Sequence, residues 1–507
     1  MATDTTNRSK TIAKNTIVLY IRMIFVLGVA LYTSRTVLEV LGVEDYGMMN
    51  VVGGIVSMLG FFNGAMISST QRFFSYAIGQ NDTQQLCLNY STILVIQAGL
   101  ALLILLLAET VGLWFVKNYL VIPQERLTAA IWVYQFSIGT FIISMMQVPF
   151  TAMIITHERM DAFAYISIAE ILMKLLIVIA LPWVRSDKLI TYMGLIFLVV
   201  LLTFIAYVVY TRTRFKYVKY IKEKNKALFK TLIGYMGWNL WGNAAAVIMN
   251  QGVNILINLF FGPAVNAARA IAYQVQGAVS QLVGNFQLAM NPQIVKSYAA
   301  GDLEYMHNLI IRGSKLSFFL VFILALPVSM EAEFLLSIWL KEVPTYATQF
   351  TILVMALSCI DSFSGSLMVA AQASGKIKVY QSVVGGLLIL NLPLSYVALK
   401  LGADPMATMY VAILISLVAL YSRLRIITPL VGLKAKKFVS NSILPSLMVA
   451  TASVAISLAI KHSLPRQSIY ASLLMLFCTV ITVVTFTALL GLTKQERIFI
   501  KMKVLKR

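Results

Sequence analysis

Residues 71–79 read QRFFSYAIG, and residues 293–301 read QIVKSYAAG. The shared pattern is Q-x-x-x-S-Y-A-x-G, at an offset of 222 residues. The same offset brings Asn63 onto Asn285. Each copy follows a long apolar stretch. A short pattern recurring at corresponding places marks an internal repeat, so the chain reads as two similar halves.

Composition sets the medium in which those halves sit. The chain has 507 residues, of which 59% are hydrophobic and 12% charged. Soluble domains are about half apolar and about a quarter charged. With so little charge the chain cannot cover a water-facing surface. A soluble enzyme, a disulfide scaffold and a disordered protein are excluded, and a polytopic membrane protein remains. A crossing helix takes about 20 mostly apolar residues. That window gives about fourteen spans: 12–34, 46–68, 90–110, 127–155, 162–182, 189–211, 231–258, 266–290, 313–332, 348–370, 378–399, 404–422, 441–460 and 469–490. The first copy of the repeat follows the second span and the second follows the eighth. Six spans separate them, and an even number preserves orientation. The repeat is therefore parallel, with its axis along the membrane normal.

The expected fold is all-α, with two parallel-repeat six-helix lobes and two C-terminal helices. The lobes are 1–211 and 231–425, joined by the basic linker 212–230. The region 426–507 adds two helices and a basic tail.

Net charge is +21, with 41 Lys and Arg against 20 Asp and Glu. In a membrane chain this excess reflects basic cytoplasmic loops facing anionic headgroups, and nucleic acid is not the expected partner. Base concentrates at the N-terminus (Arg8, Lys10, Lys14), through 212–230, around 423–440 and after the last span. These places lie on one side if the spans alternate, which puts both termini in the cytoplasm. The opposite loops are poorer in base, and 331–347 is acidic. Cys87, Cys359 and Cys478 are far apart and show neither metal spacing nor a disulfide signal. His157, His307 and His462 are scattered, and there is no Walker loop or nucleophile elbow. No cofactor is expected, and neither is an enzyme.

Polar groups inside a span must face protein or water, so they carry the functional signal. Arg22 lies near the middle of the first span, roughly 15 Å from either interface at 1.5 Å per residue. Asn15, Arg22, Thr33 and Thr36 share its stripe. Two readings are open: a cationic cavity wall for an anionic substrate, or a structural arginine bonded to carbonyls of a broken helix. Arg269 follows the Gly262-Pro263 turn, either as a second cationic contact or snorkelling to the interface. Arg35 is a weaker candidate of the same kind. Glu170 and Lys174 are spaced to neutralise each other or to relay a cation. Asp361 sits mid-span beside Ser358, Ser362 and Ser364. It is protonated, paired across helices, or an ion-coupling group.

Asn239, Asn243, Asn250 and Asn254 fall within about 60° of one another around the seventh span, flanked by Trp238 and Trp241. Gln276 joins Arg269 and Tyr273 on the eighth. Such amides either bind sugar hydroxyls in a wet cavity or glue helices together.

The stretches AKNTIVLYIR at 13–22 and SRTVLEVLGVEDYGMMNVVGGI at 34–55 resemble the polysaccharide branch of the multidrug/oligosaccharidyl-lipid/polysaccharide (MOP) exporter superfamily. Leu41-Gly42 and Tyr46-Gly47 match that branch's turn into the second helix. Val43 stands where proline is usual, and the second half supplies Gly262-Pro263.

The resemblance implies a flippase for polyprenyl-pyrophosphate-linked oligosaccharides, such as O-antigen or capsule units, in a bacterial inner membrane. It implies two lobes working by alternating access, with the cavity lined by helices 1, 2, 7 and 8. Arg22 and Arg269 occupy such helices. Expected partners are the lipid-linked oligosaccharide, membrane lipids and other polysaccharide assembly proteins, with the chain itself monomeric. Asp361, Glu170 and Lys174 are the candidates for coupling to a proton or sodium ion. Drug-exporting relatives often carry an acidic residue in helix 1, where this chain has arginine.

Overall fold

The computed structural model describes residues 2–57, 59–119, 123–223, 225–340, 342–463, 468–493 and 496–497. Within the first helix, the side chains of 2–10, 31, 34, 35, 38, 43, 50, 51, 55 and 57 lie outside that description. The described residues are helical almost throughout and include no strand. This is the form lipid imposes, because an α-helix satisfies its own backbone groups.

The chain divides into two compact units. The first comprises Met1–Asn243 with Tyr298–Ala300, and the second Ala244–Ser297 with Gly301–Arg507. Twelve helical stretches among the described residues are long and apolar enough to cross a membrane. The expected count of fourteen is not established by this tally. Lys226–Ala299 is one stretch of 74 residues where two spans were expected. The expected second span, 46–68, is divided between Ala2–Ser57 and Gly60–Gly79.

In the first unit the helices are α1 (Ala2–Ser57), α2 (Gly60–Gly79), α3 (Thr83–Leu107), α4 (Leu113–Tyr119), α5 (Leu127–Thr156), α6 (Met160–Ala180) and α7 (Lys188–Arg214), followed by the start of α8 (Lys226–Ala299). Helix α1 is broken at Gly42, whose φ of 80° and ψ of 168° are open essentially to glycine alone. Helix α8 carries the same break at Gly262, with φ 82° and ψ −177°. Asp82 caps α3 by accepting from the Gln85 amide at 2.8 Å, and Asp302 caps the next helix through Tyr305 at 3.2 Å. These backbone landmarks recur at 220 residues, two fewer than the sequence motif.

One end of this unit is tied by Arg126, which bonds both Asp45 and Asp187 and so gathers three connections. At the other end Asn15 donates to the Glu158 carbonyl at 3.1 Å, and His157 meets Tyr217. The start of α1 and the basic connection after α7 therefore share one end, as alternating spans require.

The second unit contains the rest of α8, then α9 (Leu303–Met330), α10 (Ala332–Trp339), α11 (Ala347–Asp361), α12 (Ser364–Ser374), α13 (Lys378–Lys400), α14 (Ala407–Val431), α15 (Ala435–Phe438), α16 (Leu444–Ser463) and α17 (Ile469–Phe486). Its core gathers Val253, Ile257, Val321, Phe350, Val354 and Met409, all buried. The last two long helices belong to this unit and pack on α9. Ser446, Ser453 and Ser457 are completely buried along α16, and small residues of this kind let helix backbones approach. A Cβ on Gly491 would come within 2.5 Å of Phe319. Just beyond it, Glu496 reaches the buried Lys315 of α9 at 2.8 Å.

Candidate functional site

The first-unit site is built where α1 packs on α6 and α7. Phe163, Ser167, Glu170 and Lys174 recur every three or four residues, so they share one face of α6. The Arg22 guanidinium carbon lies 4.8 Å from the Phe163 ring centroid, a cation–π contact. Arg22 is half-buried, and its Nε is buried without a hydrogen-bond partner. Glu170 and Tyr207 lie close enough to act on it electrostatically. Yet the Glu170 carboxylate is engaged elsewhere, accepting from Lys174 Nζ at 2.6 Å. The spaced pair is thus an ion pair. Two cations and one carboxylate leave the cluster formally positive by one.

The rest of the Arg22 stripe is already satisfied. Asn15 is bonded to Glu158, Thr33 donates to the Ala30 carbonyl at 3.1 Å, and Thr36 donates to Tyr32 at 3.0 Å. Arg22 is not locked onto carbonyls: among the described residues it makes no hydrogen bond and no ion pair. The side chain of Arg35 lies outside the described residues.

The second unit treats its arginine differently. Arg269 is only 3% exposed, so it does not snorkel. Its guanidinium sits 4.2 Å over Tyr273 and donates to Asn254 Oδ1, while Nε has no partner. Asn254 in turn donates to Gln251 at 3.2 Å. A buried cation with one amide and one ring around it is costly unless more negative charge arrives.

The amides of α8 separate into two groups. Asn239 is 1% exposed and donates to Ser69 Oγ at 2.8 Å, bracing α8 against α2. Asn243 donates to the Asn239 carbonyl at 2.9 Å. Its Oδ1 lies 3.2 Å from where a Cβ on Gly64 would stand, so that glycine admits the close approach. Asn250 and Gln276 are half-buried and make no hydrogen bond among the described residues.

Asp361 ends α11, where the backbone turns through Ser362 and Phe363 before α12. Its carboxylate accepts from Ser416 Oγ of α14. Ser314 of α9 donates to the Phe363 carbonyl at 3.0 Å, which satisfies part of the interrupted backbone. Arg423 donates to Ser364 at 2.7 Å and Tyr380 at 3.2 Å.

Three charged groups, Arg72 and the pair Lys315 and Glu496, went unread in the sequence. Arg72 lies inside the first repeat motif, within cation–π distance of Phe73, Tyr76 and Tyr235. Aromatic residues one and four positions after an arginine were a visible signal. Lys315 and its partner Glu496 gave none, because the two stand 181 residues apart. No group of three or more metal-ligating side chains occurs among the described residues.

No family model matches the chain, and no curated protein matches it in sequence. Solved structures do match in fold. A mutant of the MATE transporter of Vibrio cholerae superposes with a TM-score of 0.73 at 15% identity, covering 84% of this chain and 98% of that one. A multidrug resistance MATE family transporter of the MOP superfamily, in its outward-facing conformation, gives 0.72 at 11%, covering 83% and 96%. A MOP superfamily transporter of Pyrococcus furiosus, described as having a binding pocket of reversed polarity, gives 0.69 at 11%, covering 82% and 96%. At such identities the likeness establishes the fold, which is that of MATE transporters.

Proposed function

We propose that the chain is a membrane transporter whose substrate is anionic, and that this substrate is a polyprenyl-pyrophosphate-linked oligosaccharide moved to the outer leaflet. The observation that carries the reading is Arg22. It is a guanidinium within a membrane-crossing helix that retains unused donors beside an already neutralised Glu170–Lys174 pair. A charge held in that position is expensive, and intramembrane ionisable groups usually mark a substrate or ion pathway. A pyrophosphate would satisfy Arg22 by charge-assisted hydrogen bonds. In the second unit Arg269 is proposed as a further anion contact, and Arg35 as an auxiliary one.

Of the amides, Asn250 and Gln276 retain unused hydrogen-bonding groups for sugar hydroxyls, and Asn254 supports Arg269. Asn239 and Asn243 would act by holding α8 in place. Glu170, Lys174 and Asp361 are the proposed coupling groups for a proton or sodium ion. The Pyrococcus furiosus protein, described as having a pocket of reversed polarity that suggests a different function, supports a reading in which this fold serves more than one function. The proposed setting is a bacterial inner membrane with both termini in the cytoplasm, in the service of surface polysaccharide assembly.

Replacing Arg22 with Ala is expected to abolish surface polysaccharide while folded protein remains in the membrane. Normal surface glycan in that variant overturns the assignment. A second reading, a cation-coupled multidrug exporter, is favoured by the shared fold and by Asp361. A whole-cell drug-resistance assay separates the two, since the flippase confers no resistance.

A further inference from the structure

The connection after α7 is a strap laid along α3. It turns at Phe215 and runs on without helical structure to Glu223. Cys87 Sγ donates to the Tyr217 carbonyl at 3.4 Å and accepts from the Lys219 amide at 3.4 Å. One turn further along α3, Ser91 Oγ accepts from the Ile221 amide at 2.8 Å. The backbone groups used belong to residues 217, 219 and 221, the period of two that extended chain gives. His157 secures the start of the strap by stacking on Phe215 at 4.2 Å and meeting the Tyr217 hydroxyl.

This anchoring fixes what the strap presents. Lys216, Lys219 and Lys222 are exposed, as are Arg212 and Arg214 just before them. Tyr217 is 47% and Tyr220 57% exposed. Glu223 is the sole acidic residue between 212 and 230. The segment joins two membrane-crossing helices, so it lies at a membrane face. Tyrosine rings suit the headgroup layer there, and clustered lysines attract anionic lipid.

We propose that the strap over 212–222 is a built surface for anionic phospholipid headgroups, with Lys216, Lys219 and Lys222 meeting phosphate between the rings of Tyr217 and Tyr220. It differs from an ordinary basic loop in that its spacing is set by α3. This surface is independent of the transported substrate.

The test uses full-length protein in nanodiscs of phosphatidylglycerol and phosphatidylcholine, with retained lipid counted by native mass spectrometry. The triple variant Lys216→Gln, Lys219→Gln, Lys222→Gln is expected to lower retained phosphatidylglycerol by more than about fivefold, the worth of a single lysine, with phosphatidylcholine unchanged. The same three changes at the exposed Lys434, Lys436 and Lys437 should lower it by less than about twofold. Ser91→Ala, which keeps every charge and loosens the strap, should lower it by about twofold. Wild-type retention in the strap variant, or an equal loss in the Lys434 set, overturns the proposal. So does unchanged retention in Ser91→Ala, because the attraction would then be diffuse. Displacement of the lipid by excess inorganic phosphate would reassign the surface to free phosphate and also overturns it.

Discussion

The two units each hold an arginine in a membrane-crossing helix over an aromatic ring, one half-buried and one enclosed. In the second unit Arg269 and Lys315 are both enclosed, but only Lys315 is matched by a carboxylate, while Arg269 has no acidic partner among the described residues. Arg269 is buried against Tyr273 and Asn254, and Lys315 is buried against Glu496. In the first unit Glu170 is given to Lys174, and Arg22 keeps unused donors over the ring of Phe163. A matched buried pair such as Lys315 and Glu496 holds a fold together because removing one strands the other. A half-buried charge with spare donors adds little to stability and is available to a ligand. The units share a backbone repeat, so it is side-chain partnering that divides their work.

The sharpest break in this comparison is at the enclosed pair of the second unit. Glu496→Gln leaves Lys315 as a buried charge without its counter-ion. It should cost about 3–5 kcal/mol, read as a fall in melting temperature of the purified protein. If the melting temperature holds, the tail contact is dispensable and the contrast weakens. Replacing both residues together with apolar ones of similar size should recover most of the loss.

The next effect compares the two arginines directly. Arg269→Ala empties a buried site against Tyr273 and leaves the half-buried Asn254 oxygen without its donor, which should cost about 1–3 kcal/mol. Arg22→Ala removes a ring contact and no hydrogen bond or ion pair, so it should change stability by less than about 1 kcal/mol. Equal melting temperatures for the two would erase the distinction, whatever happens to surface glycan.

Third come the matching backbone breaks. Gly42→Ala and Gly262→Ala each force a side chain into a conformation that only glycine adopts, costing about 1–3 kcal/mol. The two costs should agree, because φ and ψ agree within the repeat. A large effect at one and none at the other would show that the halves are not equivalent there.

The smallest effect concerns pH at the tied end of the first unit. Burial alone would raise the Asp187 carboxyl. The Ile190 amide and Arg126 outweigh burial and hold it below the usual range. A depressed carboxylate stabilises the fold above its unfolded pKa of about 4, and that stability is lost as pH falls through the lower folded value. The pair is partly exposed, so its worth is below about 1 kcal/mol. The melting-temperature gap between the parent protein and Asp187→Asn should narrow as pH drops below about 4. A gap constant with pH would remove Asp187 from the latch.

The residues differ in how far they could be read in advance. Glu170 and Lys174 were legible because four residues along a helix is one turn, so spacing implies contact. Gly262 was legible as a turn because a following proline constrains one stretch of backbone, whereas Gly42 was legible as a turn only through the family resemblance. The amide stripe misled in part. Asn239 shares a stripe with Asn250, but only packing against α2 shows that its amide is taken by Ser69. The strap was read as a linker, since nothing near 217–221 announces Cys87 and Ser91, about 130 residues earlier.

The sequence by itself determined that this chain lives in lipid, that it is helical, that its halves repeat and that an arginine lies deep in the first span. Those conclusions rest on composition and on periodicities that a single helix expresses. Only the tertiary structure decided which charges are matched and which remain available. Partners such as Lys315 and Glu496 meet through packing between distant helices, and hydrogen bonding across such distances leaves no periodic trace in the chain.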